Sequence, residues 1–124
     1  PLEYVSSDGF QILVGKNNKQ NDLLTLKQAA SYDIWLHTKD APGSHVIIRT
    51  ERREVPDSTL LEASILAAYH SSAKMSYNVP VDYTTVKNVK KPSGAKPGMV
   101  IYENFKTVYV TPEEDKVLKI QNKQ

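Results

Sequence analysis

The segment from Asp33 to Arg49, Asp-Ile-Trp-Leu-His-Thr-Lys-Asp-Ala-Pro-Gly-Ser-His-Val-Ile-Ile-Arg, constrains the fold more than any other part of the chain. It holds two runs of strand character, Asp33–Thr38 and His45–Thr50, joined by a loop that carries Pro42-Gly43. Pro and Gly punctuate extended segments. Alternate side chains of a strand share a face, so Asp33, Trp35 and His37 stand together with Ile34 and Leu36 on the reverse. His45, Ile47 and Arg49 likewise share a side opposite Val46 and Ile48. An antiparallel register with Trp35 opposite Ile47 sets Asp33 against Arg49 and His37 against His45, and a one-residue slip breaks that group apart. The opposite-charge cross-strand pair favours this register. The resulting half-polar face joins an indole to a carboxylate, a guanidinium and two imidazoles, a surface suited to something planar or anionic. The other reading is an ordinary hairpin whose Trp fills a core gap and whose charges are solvated. Residue types alone leave both open.

At 124 residues the chain is expected to form one domain, 1–124, large enough for a core without staples. It has no cysteine, which excludes a disulfide framework and a Cys-based zinc site. No apolar run approaches membrane-spanning length and no signal peptide is visible, so no membrane partner is expected. Pro1 is not a natural start, and the chain reads as a piece excised from a longer protein. A net charge of +2 is too small to identify a partner, so its distribution matters more.

Leu2–Ser6 and Phe10–Val14 read as strands around the turn triplet Ser7-Asp8-Gly9. The polar loop Gly15–Asp22 leads to a helix over Leu23–Ala30, with Asn21 or Asp22 as its cap, and its Lys/Asn/Gln chemistry could hold an anion. Thr59-Leu-Leu-Glu62 matches a capping box that opens a helix over Leu60–Ala73. The small residues of that helix suit close packing on a sheet, and His70 lies at its edge without an evident partner. Strands are expected over Val81–Val89, Met99–Tyr102 and Lys106–Val110, the last two as a hairpin, before a short capped turn or helix. The sum is an α+β domain, a mainly antiparallel sheet with two principal helices packed against it, in the order β-β-α-β-β-α-β-β-β.

The stretch from Lys87 to Gly98 has four lysines, Lys87, Lys90, Lys91 and Lys96, and no acid. Lysines on a Pro/Gly loop can follow a phosphate backbone; a solvated loop is the alternative. His37 and His45 with Asp33 or Asp40 match no usual zinc spacing, so no metal and no cofactor are expected. Ser44, a histidine and Asp33 lack the strand-turn-helix setting of a nucleophile elbow. Nothing in the residues asks for catalysis.

Four separated stretches, in order over roughly residues 10 to 110, resemble the NFACT-R domain of the NFACT proteins, the RqcH and fibronectin-binding-protein-A group. They are Gly15-Lys-Asn-Asn-Lys-Gln-Asn-Asp-Leu-Leu-Thr, the segment from Asp33 to Ile48, Val79-Pro-Val-Asp-Tyr-Thr, and Val89-Lys-Lys-Pro-Ser-Gly-Ala-Lys-Pro-Gly-Met-Val. The resemblance implies a nonenzymatic C-terminal RNA-binding domain, preceded by a glycosylase-related domain, a helix-hairpin-helix region and a coiled coil. It implies a cytoplasmic role in ribosome-associated quality control, in which the family binds large subunits carrying stalled peptidyl-tRNA and recruits tRNA to tail the nascent chain. Several Gram-positive members have been described as fibronectin-binding surface adhesins, which makes fibronectin the alternative partner. Carried over by motif, the RNA contacts would include Trp35, His37, His45, Lys39, Asn17, Asn21, Lys90, Lys91 and Lys96. Arg49 and Lys87 join them from the face and the basic stretch. Asp22, Asp33, Asp40, Gly43 and Ser44 are motif or structural positions. In this reading the lysines grip phosphates while Trp35 and its neighbours stack on or hydrogen-bond an unpaired base.

Overall fold

A computed structural model describes residues 1–122. The elements run β1 (Leu2–Val5), β2 (Gln11–Val14), α1 (Asn18–Leu23), a π-helical turn (Leu24–Gln28), β3 (Ile34–Thr38), β4 (Val46–Arg49) and α2 (Asp57–Tyr69). There follow β5 (Val79–Thr85), β6 (Val89–Lys90), β7 (Ile101–Tyr102), β8 (Lys106–Val110), α3 (Glu114–Leu118) and β9 (Gln121–Asn122). Seven strands form one sheet in the order β8-β5-β3-β4-β2-β1-β9, every pairing antiparallel. Strands β6 and β7 form a separate two-stranded ribbon. The fold is thus α+β with a mainly antiparallel sheet, in the expected order.

Trp35 lies opposite Ile47, with Ile34 opposite Ile48 and Leu36 opposite Val46, the register that the charge pairing favours. Arg49 Nε sits 3.3 Å from an Asp33 carboxylate oxygen. The middle strands are apolar on both faces: Ile12-Leu13-Val14, Ile34-Trp35-Leu36 and Val46-Ile47-Ile48. Such runs suit a sheet covered on both sides, since a half-wet strand alternates. On one side Ile12, Val14, Leu36, Val46 and Ile48 share a core with Ala63, Leu66 and Ala67 of α2. On the other, Leu13, Trp35 and Ile47 pack with Leu24 of the π turn and Val89 of the ribbon. The face expected to stand half-polar and open is therefore roofed by a second layer.

Several local expectations need correction. The first helix starts at Asn18, not Leu23, because Asn17 is the cap: its side chain accepts the Gln20 N–H at 2.9 Å. Thr59 and Glu62 make no capping box. Helix α2 begins at Asp57, after Pro56, and both side chains point across to the β1–β2 turn. Thr59 Oγ1 donates to Asp8 at 2.7 Å, and Glu62 accepts the Ser7 N–H at 2.8 Å. Hydrogen bonds from Ser58 and Thr59 hold the Asp8 carboxyl below its usual range. The helix ends at Tyr69, and His70 has a partner after all, with Nε2 3.1 Å from the Tyr4 hydroxyl. The strand from Val79 stops at Thr85 and gives way to a 3-10 turn at Val86–Asn88. There Val86 N–H donates to Asp33 O and Lys87 N–H to Ser31 O, which turns the chain toward the ribbon. Strands β7 and β8 are no hairpin, since β7 pairs with β6 and β8 pairs with β5.

Asp33 ties these parts together from inside. It is 1% exposed and accepts the Thr50 N–H at 3.0 Å and the Ala30 N–H at 2.9 Å as well as the Arg49 guanidinium. Asp33→Ala strands two backbone donors at ~1–3 kcal/mol each, so urea unfolding should show a loss of about 3 kcal/mol. Arg49→Ala, removing a half-exposed partner, should cost about 1 kcal/mol or less. Equal losses would place the stabilisation in the ion pair instead of the backbone bonds.

Candidate functional site

The loop between β3 and β4 faces the segment from Pro97 to Tyr102 across a cleft of about 430 Å³. Trp35, His37, Asp40, Gly43 and His45 line it on one side, Pro97, Gly98, Met99 and Tyr102 on the other, and Asn18 at one end. Motif residues from three distant stretches thus meet at one place. The volume is in the range of pockets that hold small ligands.

Trp35 forms the floor of this cleft and is 0% exposed. His37 stacks parallel to it at 5.8 Å, His45 meets it edge-on at 5.5 Å, and Tyr102 lies at 4.6 Å. With no accessible face, the indole cannot stack on a base in this conformation, which corrects the sequence-based mechanism. Its Nε1–H is buried without a hydrogen-bond partner among the described residues.

The two histidines meet as the register requires, ring centroids 5.5 Å apart. His45 is buried: Nδ1 accepts from Thr25 Oγ1 at 2.8 Å, and Nε2–H donates to Gly98 O at 3.2 Å. Burial, with His37 beside it, pushes its pKa down to about 4. The two ring nitrogens of His37 face Thr38 O at 2.6 Å and Gly43 O at 3.2 Å, and burial lowers its pKa too. His45 is therefore neutral at neutral pH and offers no charge to a phosphate.

The remaining polar motif residues split into two groups. Some are consumed by the fold. Asn21 is buried within α1, where Oδ1 accepts the His45 N–H at 3.0 Å; a Cβ on Gly15 would lie 2.0 Å from that oxygen, so the position requires glycine. Asp22 accepts the Gly98 N–H at 3.0 Å and pairs with Lys91 at 3.2 Å. Lys91 also donates to the carbonyls of Lys96 and Met99, so its ammonium closes its own loop. Lys39 reaches the buried Asp82 at 3.3 Å and lies 4.6 Å over the Phe105 ring. Gly43 bridges Ser71, whose Cβ leaves no room for another, and Ser44 N–H donates to His70 O at 3.0 Å. The others face solvent: Asn17, Asp40, Lys87, Lys90 and Lys96 are exposed. Lys87, Lys90 and Lys96 have no ion-pair partner among the described residues.

Sequence reasoning missed Tyr102 and Asp82. The Tyr102 hydroxyl donates to Asp82, which also accepts from Thr107 Oγ1 at 2.6 Å. Burial and that carboxylate raise the phenol's pKa well above its usual range. An isolated Ile-Tyr pair carries no signal that it will close a cleft floored by Trp35. Gly98 stood in a recognised motif without a role; it supplies one N–H and one carbonyl to the clasp. Among the described residues no group of three or more His, Asp or Glu is placed to hold a metal, and no helix is long and apolar enough to cross a membrane.

Comparison with known proteins gives consistent results. The family model described as the NFACT protein RNA binding domain matches residues 1–104. The Rqc2 homolog RqcH of Bacillus subtilis is 57% identical over 118 residues, 95% of this chain and 20% of that protein. The Saccharomyces cerevisiae ribosome quality control complex subunit 2 is 35% identical over 71 residues, 56% of this chain and 7% of that protein. Among solved structures, the C-terminal part of the fibronectin/fibrinogen-binding protein from Streptococcus suis superposes with a TM-score of 0.92 at 48% identity, covering 98% of this chain and 49% of that one. The chain spans about a fifth of the length of the bacterial curated relatives.

His45 gives the clasp a measurable pH dependence. A histidine lowered from 6.5 in the unfolded chain to about 4 in the folded one binds its proton preferentially when unfolded. Stability is then full above pH 6.5, falls as pH drops toward about 4, and levels off below. The loss across that window should be on the order of 3 kcal/mol. Urea midpoints measured from pH 7.5 to 4 should show it, and His45→Gln should flatten the slope. An unchanged slope in that variant would assign the titration elsewhere.

Proposed function

The chain belongs to the NFACT RNA-binding domain family, and on that premise we propose that it is a nonenzymatic module of a ribosome-associated quality-control factor. In this reading it engages large-subunit RNA and tRNA in the cytoplasm while the whole protein tails a stalled nascent chain. The observation that carries the reading is the state of the basic loop. Lys91 is turned inward to hold the loop's shape, while Lys87, Lys90 and Lys96 are exposed and unneutralised by any carboxylate among the described residues, Lys96 directly preceding the cleft-lining Pro97. Lys16 and Lys19, exposed before and after the cleft-lining Asn18 in sequence, add further cations. Fixed lysines on a rigid loop are the arrangement by which a protein follows a phosphate backbone and releases its counterions.

The solved relative from Streptococcus suis, named for binding fibronectin and fibrinogen, supports a second reading as a protein-adhesion module. Exposed Met75, Tyr77 and Tyr109 could serve such contacts. Salt separates the two. Binding of a short single-stranded RNA should weaken along a steep log–log salt slope, and Lys90→Ala with Lys96→Ala should make that slope shallower by about 1.4, roughly 0.7 per lysine. Lys91→Ala should instead lower the unfolding midpoint. A slope unaltered by the double substitution rejects the loop as the phosphate grip. Fibronectin binding with flat salt dependence and no RNA affinity would favour the adhesive reading.

A further inference from the structure

The cleft holds chemistry that a phosphate grip does not use. No lysine or arginine lines it, and Asp40 places a carboxylate at its rim. A phosphate would be repelled there, so the anionic part of an RNA is left to the lysines outside. Trp35, which lines the cleft, carries the one buried side-chain nitrogen or oxygen without a hydrogen-bond partner among the described residues, its Nε1. Native folds satisfy nearly all such groups, and an exception calls for a reason. The walls are planar or apolar: His37 parallel to the indole, Tyr102 tilted against it, Pro42 and Pro97 in the two facing loops.

A ligand that meets these demands is flat and neutral, carries a carbonyl for the indole N–H, and carries N–H donors for the carboxylate. Guanine has all three on one edge, in O6, N1–H and the N2 amine. Adenine has no carbonyl, cytosine has no ring N–H beside its amine, and uracil has a single N–H between two carbonyls. Resting on the RNA reading above, we infer that the cleft is a pocket for one unpaired guanine, donated to by Trp35 and read by Asp40. Because the indole is closed to water, the base enters by displacing Tyr102, which stands on the two-residue strand β7. The phosphates on either side of that nucleotide then fall to the exposed lysines that neighbour the lining residues, Lys19 beside Asn18 and Lys96 beside Pro97.

The chain has a single tryptophan, so its emission reports on the cleft itself. Two labelled uridine oligomers, one with a central guanosine and one with a central adenosine, are titrated by anisotropy and by tryptophan emission. The guanosine oligomer should bind about tenfold more tightly, the discrimination that one bidentate base contact supplies, and only it should change the emission. Asp40 is exposed at φ 54°, a conformation that Asn accepts readily. Asp40→Asn should therefore keep the unfolding midpoint and bring the two oligomers to equal affinity. Equal binding of both oligomers by the unsubstituted chain, a guanosine preference without an emission change, or a preference that survives Asp40→Asn would each overturn the pocket and leave the RNA reading intact. Failure of either oligomer to bind at low salt would remove the RNA reading and the pocket with it.

Discussion

The cross-strand pair of Trp35 and Ile47 sets everything else, because it lies on a sheet covered on both faces. A one-residue slip would carry the indole to the side of α2, where Ala63, Ala67 and Ala68 bring the helix close and leave no room for an indole. Overpacking of that kind is costly. The same slip would part Asp33 from Arg49 and remove the carboxylate from the Thr50 and Ala30 amides. Apolar volume and polar satisfaction therefore agree on one register, and the cleft inherits its geometry from that agreement.

What the register leaves to be solved is the second layer. Its loops carry backbone groups that would otherwise be buried without partners, and the motif side chains answer them across long sequence separations. Asp22 reaches the Gly98 amide, His45 the Gly98 carbonyl, Asn21 the His45 amide, and Lys91 two carbonyls of its own loop. A buried donor or acceptor left unmet costs more than a typical hydrogen bond returns. Residue types that look made for ligand contact are thus held here by the fold, and a chain that kept them for any such purpose would show the same motif.

This explains what could be read from the sequence and what could not. The hairpin register was legible because two strands joined by a short loop leave few alternatives, and a charge pair distinguishes them. The α+β class and the packing role of the small residues in α2 were legible from periodicity. The start of α1 was misplaced because Asn21 and Asp22 suit a cap as well as Asn17 does, and it is Asn17 that lies before the first turn. Thr59 and Glu62 fit a local capping pattern, yet Ser7 and Asp8, some fifty residues away, claim both side chains. The division of the basic stretch into one inward lysine and three outward ones rests on Asp22, and Tyr102 meets Trp35 only through the ribbon. No local pattern encodes such pairings.

The same accounting bears on how strongly a surface like this can hold RNA. Lys39, Lys91 and Arg49 each face a carboxylate, and the His45 imidazole is neutral, so near the cleft the charge free for phosphates rests with exposed lysines such as Lys19 and Lys96, sequence neighbours of its lining residues. Each phosphate neutralised adds one increment of counterion release; a handful gives an affinity that ordinary salt erodes. Base selection of the kind inferred for a cleft without lysine or arginine would add discrimination without adding salt-sensitive grip. A module of this kind works when another contact holds the RNA nearby, because a tethered second site raises the effective concentration at the first. The curated bacterial relatives, in which the matching segment is about a fifth of the chain, have the length to supply that contact. On the proposed reading weak intrinsic grip is an advantage, because the cleft would sample unpaired bases and release them while a larger assembly stays bound.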